Sequence, residues 1–534
     1  MRPRHHEDAN VKTTAITATV LALLAGVAQA APVDRVKVDT GELAGAVEGD
    51  VVAFKGIPFA AAPVGDLRWR APQPAARWSG VRSATTYGSD CMQKPFPSDA
   101  APLGTEPAED CLVLNVWRPA KAPAGKLPVM VWIYGGGFVN GGSSPLVYAG
   151  NEFARRGVVL VSFNYRVGRF GFFGHPALTK EDPKGLLGNY GFMDQIAALK
   201  WVQRNIAAFG GDAKNVTVFG ESAGGFSVHT LATSPEAQGL FQKAIVQSGG
   251  GRSNLAPGRR LSGGAPGAPP SAETAGLAFA GRVGIQGEDA AALAALRKLP
   301  AETVVSGLNM MTMFDPTYSG PMIDGRIVVG EPGDIYRAGG GARIPMMVGA
   351  NSMDLGFSQA RTVDEALAPF GAADRAKAQA AYDPAGHGDV RAVGMLVASD
   401  RMMAEPARFV AKTLSAKGRP VYEYRFSYVA ESMRRQWPGA PHATDIPFVF
   451  NTANVKYGAA FTPADAKAAD VANAYWVAFA KTGDPNGGGR PRWPAYKVGE
   501  DQIMDFTAEG PAAGPDPWKT RLDLAEAAND RSPN

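Results

Sequence analysis

The chain is predicted to adopt an α/β fold, with a large, mostly parallel central sheet covered by helices on both faces. Three observations predict it. Apolar runs of strand length alternate with helical patterns along most of the 534 residues. The pentapeptide Gly220-Glu221-Ser222-Ala223-Gly224 sits between an apolar run, Val216-Thr217-Val218-Phe219, and a stretch that can be helical. The composition, 45% hydrophobic and 19% charged, is that of a globular protein, and large α/β chains often run to this length around one sheet.

From the N-terminus, Arg2, Arg4 and Lys12 precede an apolar stretch over residues 15–27, and Ala28-Gln29-Ala30 before Ala31 fits a small-x-small cleavage site. Residues 1–30 are therefore expected to be a cleaved signal peptide, and residues 31–534 a single catalytic domain with loop insertions in the periplasm or outside the cell. Glu7 and Asp8 make the charged region long and mixed, and an uncleaved anchor is the alternative. Cleavage removes three basic and two acidic side chains and leaves a net charge of +3 in place of +4. No other stretch is apolar enough to span a bilayer, so no stable membrane association is expected after cleavage.

Only two cysteines are present, Cys91 and Cys111. An oxidising compartment favours their pairing over the alternative of two buried thiols. The bridge would close a loop whose Pro95, Pro97, Pro102 and Pro107 rule out a helix. Beyond it the clearest strands are residues 127–134, 158–163, 216–219, 243–247, 344–348 and 421–427. Between the second and third, Phe192, Ile196, Leu199, Val202 and Ile206 recur at helical steps, an amphipathic helix stopped by Gly210-Gly211-Asp212. Residues 249–272 and 484–494 read as surface loops, and the chain from about Gly510 as a frayed tail.

A serine at the centre of G-x-S-x-G after a strand and before a helix sits on a sharp turn. Its backbone is strained, and flanking residues without Cβ let other strands and a substrate approach. Ser222 is the candidate nucleophile; the competing reading is an ordinary glycine turn that caps a helix.

Segments spread over nearly the whole chain then carry a resemblance. They include residues 54–60 with Pro63-Val64-Gly65, Glu109-Asp110-Cys111-Leu112 with Leu114-Asn115-Val116-Trp117, Asn189-Tyr190-Gly191, Phe209-Gly210-Gly211-Asp212, residues 481–486 and Trp493-Pro494-Ala495-Tyr496. In these the chain resembles the type-B carboxylesterases, the branch of the α/β-hydrolase superfamily that includes cholinesterases and bacterial para-nitrobenzyl esterases. The resemblance implies an α/β-hydrolase fold, a serine esterase, and a bridge from Cys111 to Cys91.

Such an enzyme needs a base, and six histidines are available. His5 and His6 leave with the signal. His229 lies seven residues past Ser222 on the same expected helix, roughly 10 Å along its axis. His175 precedes the serine, against the Ser–acid–His order of this fold. Of His387 and His442, the segment from Gly439 to Phe450 resembles the family's histidine segment, which implies His442 as the base. The loop Gly349-Ala350-Asn351-Ser352-Met353-Asp354 resembles the family's acid segment and implies Asp354, where most members carry Glu; Asp445 is the fallback. An Asp is one methylene shorter, so its loop must come closer to His442. Gly135-Gly136-Gly137 follows a predicted strand, and the resemblance assigns the amides of Gly136, Gly137 and Ala223 to an oxyanion hole.

The implied reaction is two-step acyl transfer on a small-molecule ester, with no metal or organic cofactor, since H-E-x-x-H, paired Cys-x-x-Cys and Walker patterns are all missing. The alternatives are a non-catalytic binding protein of the same fold, or an amidase or thioesterase. With no concentrated basic stripe, a pI near 8.8 gives no reason to expect nucleic-acid binding. Aryl and alkyl esters or a polycarboxylate ester of a fumonisin-like mycotoxin are candidate substrates. The last would require arginines at the pocket, and the sequence alone places none there. Met92 and Phe96 lie in the Cys91–Cys111 loop, which resembles the one near the family's active-site gorge. Oligomeric state is not legible.

Overall fold

The computed structural model describes residues 33–96, 99–121, 125–264 and 267–531. The expected signal segment, residues 1–30, lies outside them. Thirteen strands form the main sheet: β1 (Val33–Val38), β2 (Gly41–Glu48), β3 (Val51–Pro58), β4 (Val81–Ala84), β5 (Val113–Pro119), β6 (Leu127–Ile133), β7 (Val159–Phe163), β8 (Gly211–Glu221), β9 (Lys243–Gln247), β10 (Met346–Asn351), β11 (Val421–Phe426), β12 (Gln502–Thr507) and β13 (Gly510–Pro515). Their spatial order is β1-β2-β3-β5-β7-β6-β8-β9-β10-β11-β12-β13, with β4 paired to β2. Neighbours from β7 through β6 and β8 to β12 run parallel. Antiparallel pairing is confined to the two ends.

Burial follows position in the sheet. Every residue of β7, β9, β10 and β11 is buried, as both-face coverage of parallel strands demands. At the edge, β1 exposes Val33, Asp34's neighbour Arg35 is exposed too, and only Val36 and Val38 face inward. Helices α1 (Tyr190–Asn205), α2 (Ala223–Thr233), α3 (Val390–Ser399), α4 (Glu405–Ser415), α5 (Pro463–Thr482) and α6 (Lys519–Arg531) are the longer ones used below. The predicted stripe Phe192, Ile196, Leu199, Val202 and Ile206 is buried throughout. So is Asp194 on α1, whose carboxylate takes Arg166 in a buried ion pair at 2.8 Å. Gly210, in the left-handed region at φ 81°, ends this helical stretch after a turn of 3-10 helix. Among the described residues no helix is long and apolar enough to cross a membrane.

Two sequence expectations fail. The chain beyond Gly510 is not frayed: β13 pairs with β12, and α6 buries Leu522, Leu524, Ala525 and Ala528. Leu524 and Ala528 complete a small second core with Leu367, Phe370 and Val397. Gly-Pro-Ala-Ala-Gly-Pro has no strand formers, so its pairing comes from the open backbone edge of β12 rather than from its own side chains. Residues 249–254 are likewise not a surface loop. Gly250 packs against Phe226, and Arg252 is buried in an ion pair with Glu405.

Candidate active site

Adjacent strands deliver the candidate groups to one end of the sheet, at the carboxyl edge where ligands of open α/β sheets bind. β6 runs into Gly135-Gly136-Gly137, β8 into Ser222, β9 into Ser248, β10 into Asp354, and the connection after β11 carries His442. Ser222 adopts φ 56°, ψ −125°, a region that costs a non-glycine residue about 1–3 kcal/mol. Close neighbours hold it there. Its amide donates to the Gln247 carbonyl at 2.9 Å, and its own carbonyl accepts from Phe226 N–H at 2.9 Å. Gly224 is required by proximity: a Cβ there would lie far inside contact distance of the Ile133 carbonyl oxygen. The glycine loop passes directly over this turn, since a Cβ on Gly135 would fall 2.9 Å from Ser222 Cβ.

His442 Nδ1 lies 2.5 Å from Asp354 Oδ1. Asp354 is further fixed by Ser248 Oγ donating to Oδ2 at 2.7 Å and by the amides of Asn351 and Leu355 at 2.8 and 2.7 Å. The shorter acid reaches because its loop is stitched to the histidine loop. Met353 N–H donates to Ala440 O at 2.9 Å, Asn351 Nδ2 to Pro441 O at 2.7 Å, and Ala440 N–H to Ser352 Oγ at 2.8 Å. Burial works against the Asp354 charge, but His442 and these donors outweigh it and hold the carboxyl below its usual range. Asp445 does not touch the imidazole; it accepts from Gln247 Nε2 at 2.6 Å and Asn351 Nδ2 at 3.2 Å. His229 is engaged with Tyr336 OH at 3.0 Å, and His175 caps a helix by accepting from Ala177 N–H.

The other face of the imidazole holds a group that the sequence reading passed over. Nε2 lies 3.2 Å from Glu221 Oε1, a fully buried carboxylate. Burial pushes Glu221 up to about 8, even with His442 beside it. Burial pulls the imidazole down, yet Glu221 and then Asp354 outweigh that and hold His442 at about 9. Among the described residues the Ser222 hydroxyl makes no hydrogen bond, so Nε2 faces Glu221 rather than bonding the serine. The only sequence signal for Glu221 was its place inside the pentapeptide, one residue before the serine. Ser248 had none.

Gly136 and Gly137 take φ 100° and 61°, the region that favours glycine. Neither amide, nor that of Ala223 at the first position of α2, donates to an acceptor in the backbone contacts of the described residues. Cavities flank the site. His442 lines one of about 310 Å³ with Asp99, Ala100, Ala101, Trp437 and Lys456. Its wall from the disulfide loop is thus residues 99–101, not Met92 or Phe96. Gly137 lines a second, of about 240 Å³. Cys91 and Cys111 are bridged, with Cα atoms 4.9 Å apart.

Residues 32–521 match the Carboxylesterase family. The chain belongs to that family. It is 37% identical to a fumonisin B1 esterase of Sphingopyxis macrogoltabida over 87% of this chain and 84% of that one. Identity is 34% to the para-nitrobenzyl esterase of Bacillus subtilis strain 168, covering 87% and 93%, and 32% to human cocaine esterase, covering 87% and 85%. This carboxylesterase has the α/β-hydrolase fold and is a carboxylic ester hydrolase.

Proposed function

We propose that Ser222, His442 and Asp354 are the catalytic triad of a two-step acyl transfer. Ser222 attacks the ester carbonyl, His442 takes its proton and passes it to the leaving alcohol, and Asp354 holds the imidazole by Nδ1 and stabilises the imidazolium. The amides of Gly136, Gly137 and Ala223 receive the developing oxyanion. The observation that carries this reading is the His442–Asp354 contact at 2.5 Å, with Ser222 on a strained turn under a glycine loop and its neighbour Glu221 against the same imidazole. The relay requires His442 Nε2 to turn from Glu221 to the Ser222 hydroxyl, as catalytic hydrogen bonds often tighten only with substrate bound. Glu221 faces the same nitrogen and favours the imidazolium.

The reading includes export with cleavage after Ala30, and residues 31–534 as one catalytic domain. An enclosed disulfide and the signal-like N-terminal sequence support it. The names of the two bacterial relatives set the substrates to try: para-nitrobenzyl esters and fumonisin B1. A fluorophosphonate probe should label Ser222 in wild type, as mapped by peptide mass spectrometry, and Ser222→Ala should lose both label and ester turnover while keeping its melting temperature. Turnover surviving in a folded Ser222→Ala protein moves the nucleophile elsewhere.

A further inference from the structure

Two thioether sulfurs cover the glycine loop beside Ser222. A Cβ built on Gly137 would fall 2.6 Å from Met310 Sδ and 3.2 Å from Met313 Sδ, so both sulfurs pack against the Cα of that glycine. Between them in the chain, Met311 stands in solvent at 81% exposure. Met310 is half-buried, and Met313 is buried on the wall of the cavity of about 240 Å³ that Gly137 also lines.

The methionine loop is tied to the glycine loop on both sides of this contact. Met310 N–H donates to Asn140 Oδ1 at 2.9 Å, and Tyr318 OH donates to the Phe138 carbonyl at 3.1 Å. Asn140 is buried and held in turn, since its Nδ2 donates to Gln93 Oε1 at 3.1 Å and to Lys94 O at 2.8 Å. Its amide and that of Val139 donate to Gly136 O at 2.9 and 3.1 Å. Neither loop can shift without pulling on the other, and the space over Gly137 has no room for one further heavy atom. A thioether suits that space, because it is soft, apolar and too weak an acceptor to compete for the glycine amides.

We propose that Met310 and Met313 form an oxidative modification site, at which conversion of the thioethers to sulfoxides displaces Gly137 and suppresses ester hydrolysis. Hydrogen peroxide supplies the oxygen. The sulfur lone pair attacks it, an S–O bond forms, the peroxide O–O bond breaks and water leaves, so the sulfur is oxidised and the peroxide reduced. The product carries a strong acceptor on an atom already in contact with Gly137, and it pushes the glycine aside or takes its N–H. Either outcome removes a donor from the reacting carbonyl, a loss of about 10²–10³ in kcat in other hydrolases. The inference rests on the proposed oxyanion role of Gly137.

The test titrates the enzyme with hydrogen peroxide and follows kcat and KM for ethyl butyrate beside the sulfoxide content of each methionine, read by peptide mass spectrometry. Met311 should oxidise first and without effect on turnover. As Met310 and Met313 oxidise, kcat should fall by about 100-fold while KM changes by less than about threefold. The double variant Met310→Leu, Met313→Leu should keep at least about half of its own starting activity through the same titration, and Met311→Leu should be no better protected than wild type. Three results overturn the proposal: wild-type kcat within about twofold once both sulfurs are oxidised, both sulfurs resisting peroxide that fully oxidises Met311, or equal loss in the double variant. Should that variant fail to fold, methionine sulfoxide reductases acting on oxidised wild type must restore turnover as the two sulfoxides disappear, and their removal without recovery overturns it too. Loss of the triad reading would look different, since unoxidised Ser222→Ala would still turn over ester, whereas failure here leaves the fluorophosphonate label on Ser222 and the oxidised enzyme active.

Discussion

Replacing Glu221 with Gln tests the electrostatics of the site directly. Its Oε1 is 3.2 Å from His442 Nε2, and two unit charges at that distance interact by about 5 kcal/mol at an effective dielectric of ~20. Only part of this reaches the imidazole, because Glu221 itself titrates at about 8 and carries its charge for only part of the range. We expect His442, now at about 9, to fall by about one to two units, each worth ~1.4 kcal/mol. As the proposed base, His442 works only when neutral, so kcat/KM should rise with pH through this value. In wild type the ascending limb should lie well on the alkaline side of an ordinary histidine. In Glu221→Gln it should move toward acid by one unit or more, with the largest effect above pH 8, where wild-type Glu221 carries its charge. The alkaline plateau should fall at the same time, because the carboxylate that disfavours the free base also stabilises the imidazolium of the transition state. A pH-stat profile on ethyl butyrate separates limb position from plateau height. A limb that stays within about 0.3 units of wild type, in a folded variant, refutes the argument.

The same groups set a stability trend. Glu221 and His442 both bind protons more tightly folded than unfolded, at about 8 and about 9 against 4.5 and 6.5. Melting temperature should therefore fall as pH rises from 6 to 9, and the fall should be shallower in Glu221→Gln. Gly224→Ala should cost about 3 kcal/mol or more by forcing a Cβ into the Ile133 carbonyl, whereas Gly281→Ala, on an open helix face, should be neutral or stabilising by up to about 1 kcal/mol; denaturant melts read both. Separating Cys91 from Cys111 by the double Ser variant should lose about 3 kcal/mol for a 20-residue spacing, and should also lower kcat/KM because Ala100 and Ala101 wall the His442 cavity. Truncation after Asp516 removes buried Leu522, Leu524 and Ala525 and strips Arg408 of Asp523 and Glu526, and should destabilise by on the order of 5 kcal/mol in thermal melts.

What was legible in the sequence was local. The parallel strands announce themselves because burial on both faces leaves them apolar without interruption, and Ser222 is marked by glycines that neighbouring backbones require. His442 and Asp354 lie 88 residues apart and meet only through the pairing of loops after β10 and β11, so no local pattern couples them and the family resemblance was needed. The edges were harder: β13 is made of Gly, Pro and Ala and is a strand only because β12 offers it an edge.

The presence of two carboxylates around one imidazole follows from how that ring is held. Asp354 alone would fix the tautomer and leave Nε2 facing the serine. An ionised Glu221 on that side raises the proton affinity of His442, the proposed base, and would strengthen its hold on the proton during acyl transfer. Ser222 is forced by φ 56° to project from the turn, and Glu221, the preceding residue, is sent inward by the same turn. In this chain the strained turn at Ser222 is thus preceded by a buried carboxylate beside His442. An apolar residue there would leave the imidazolium with one partner, and a carboxylate gives it two.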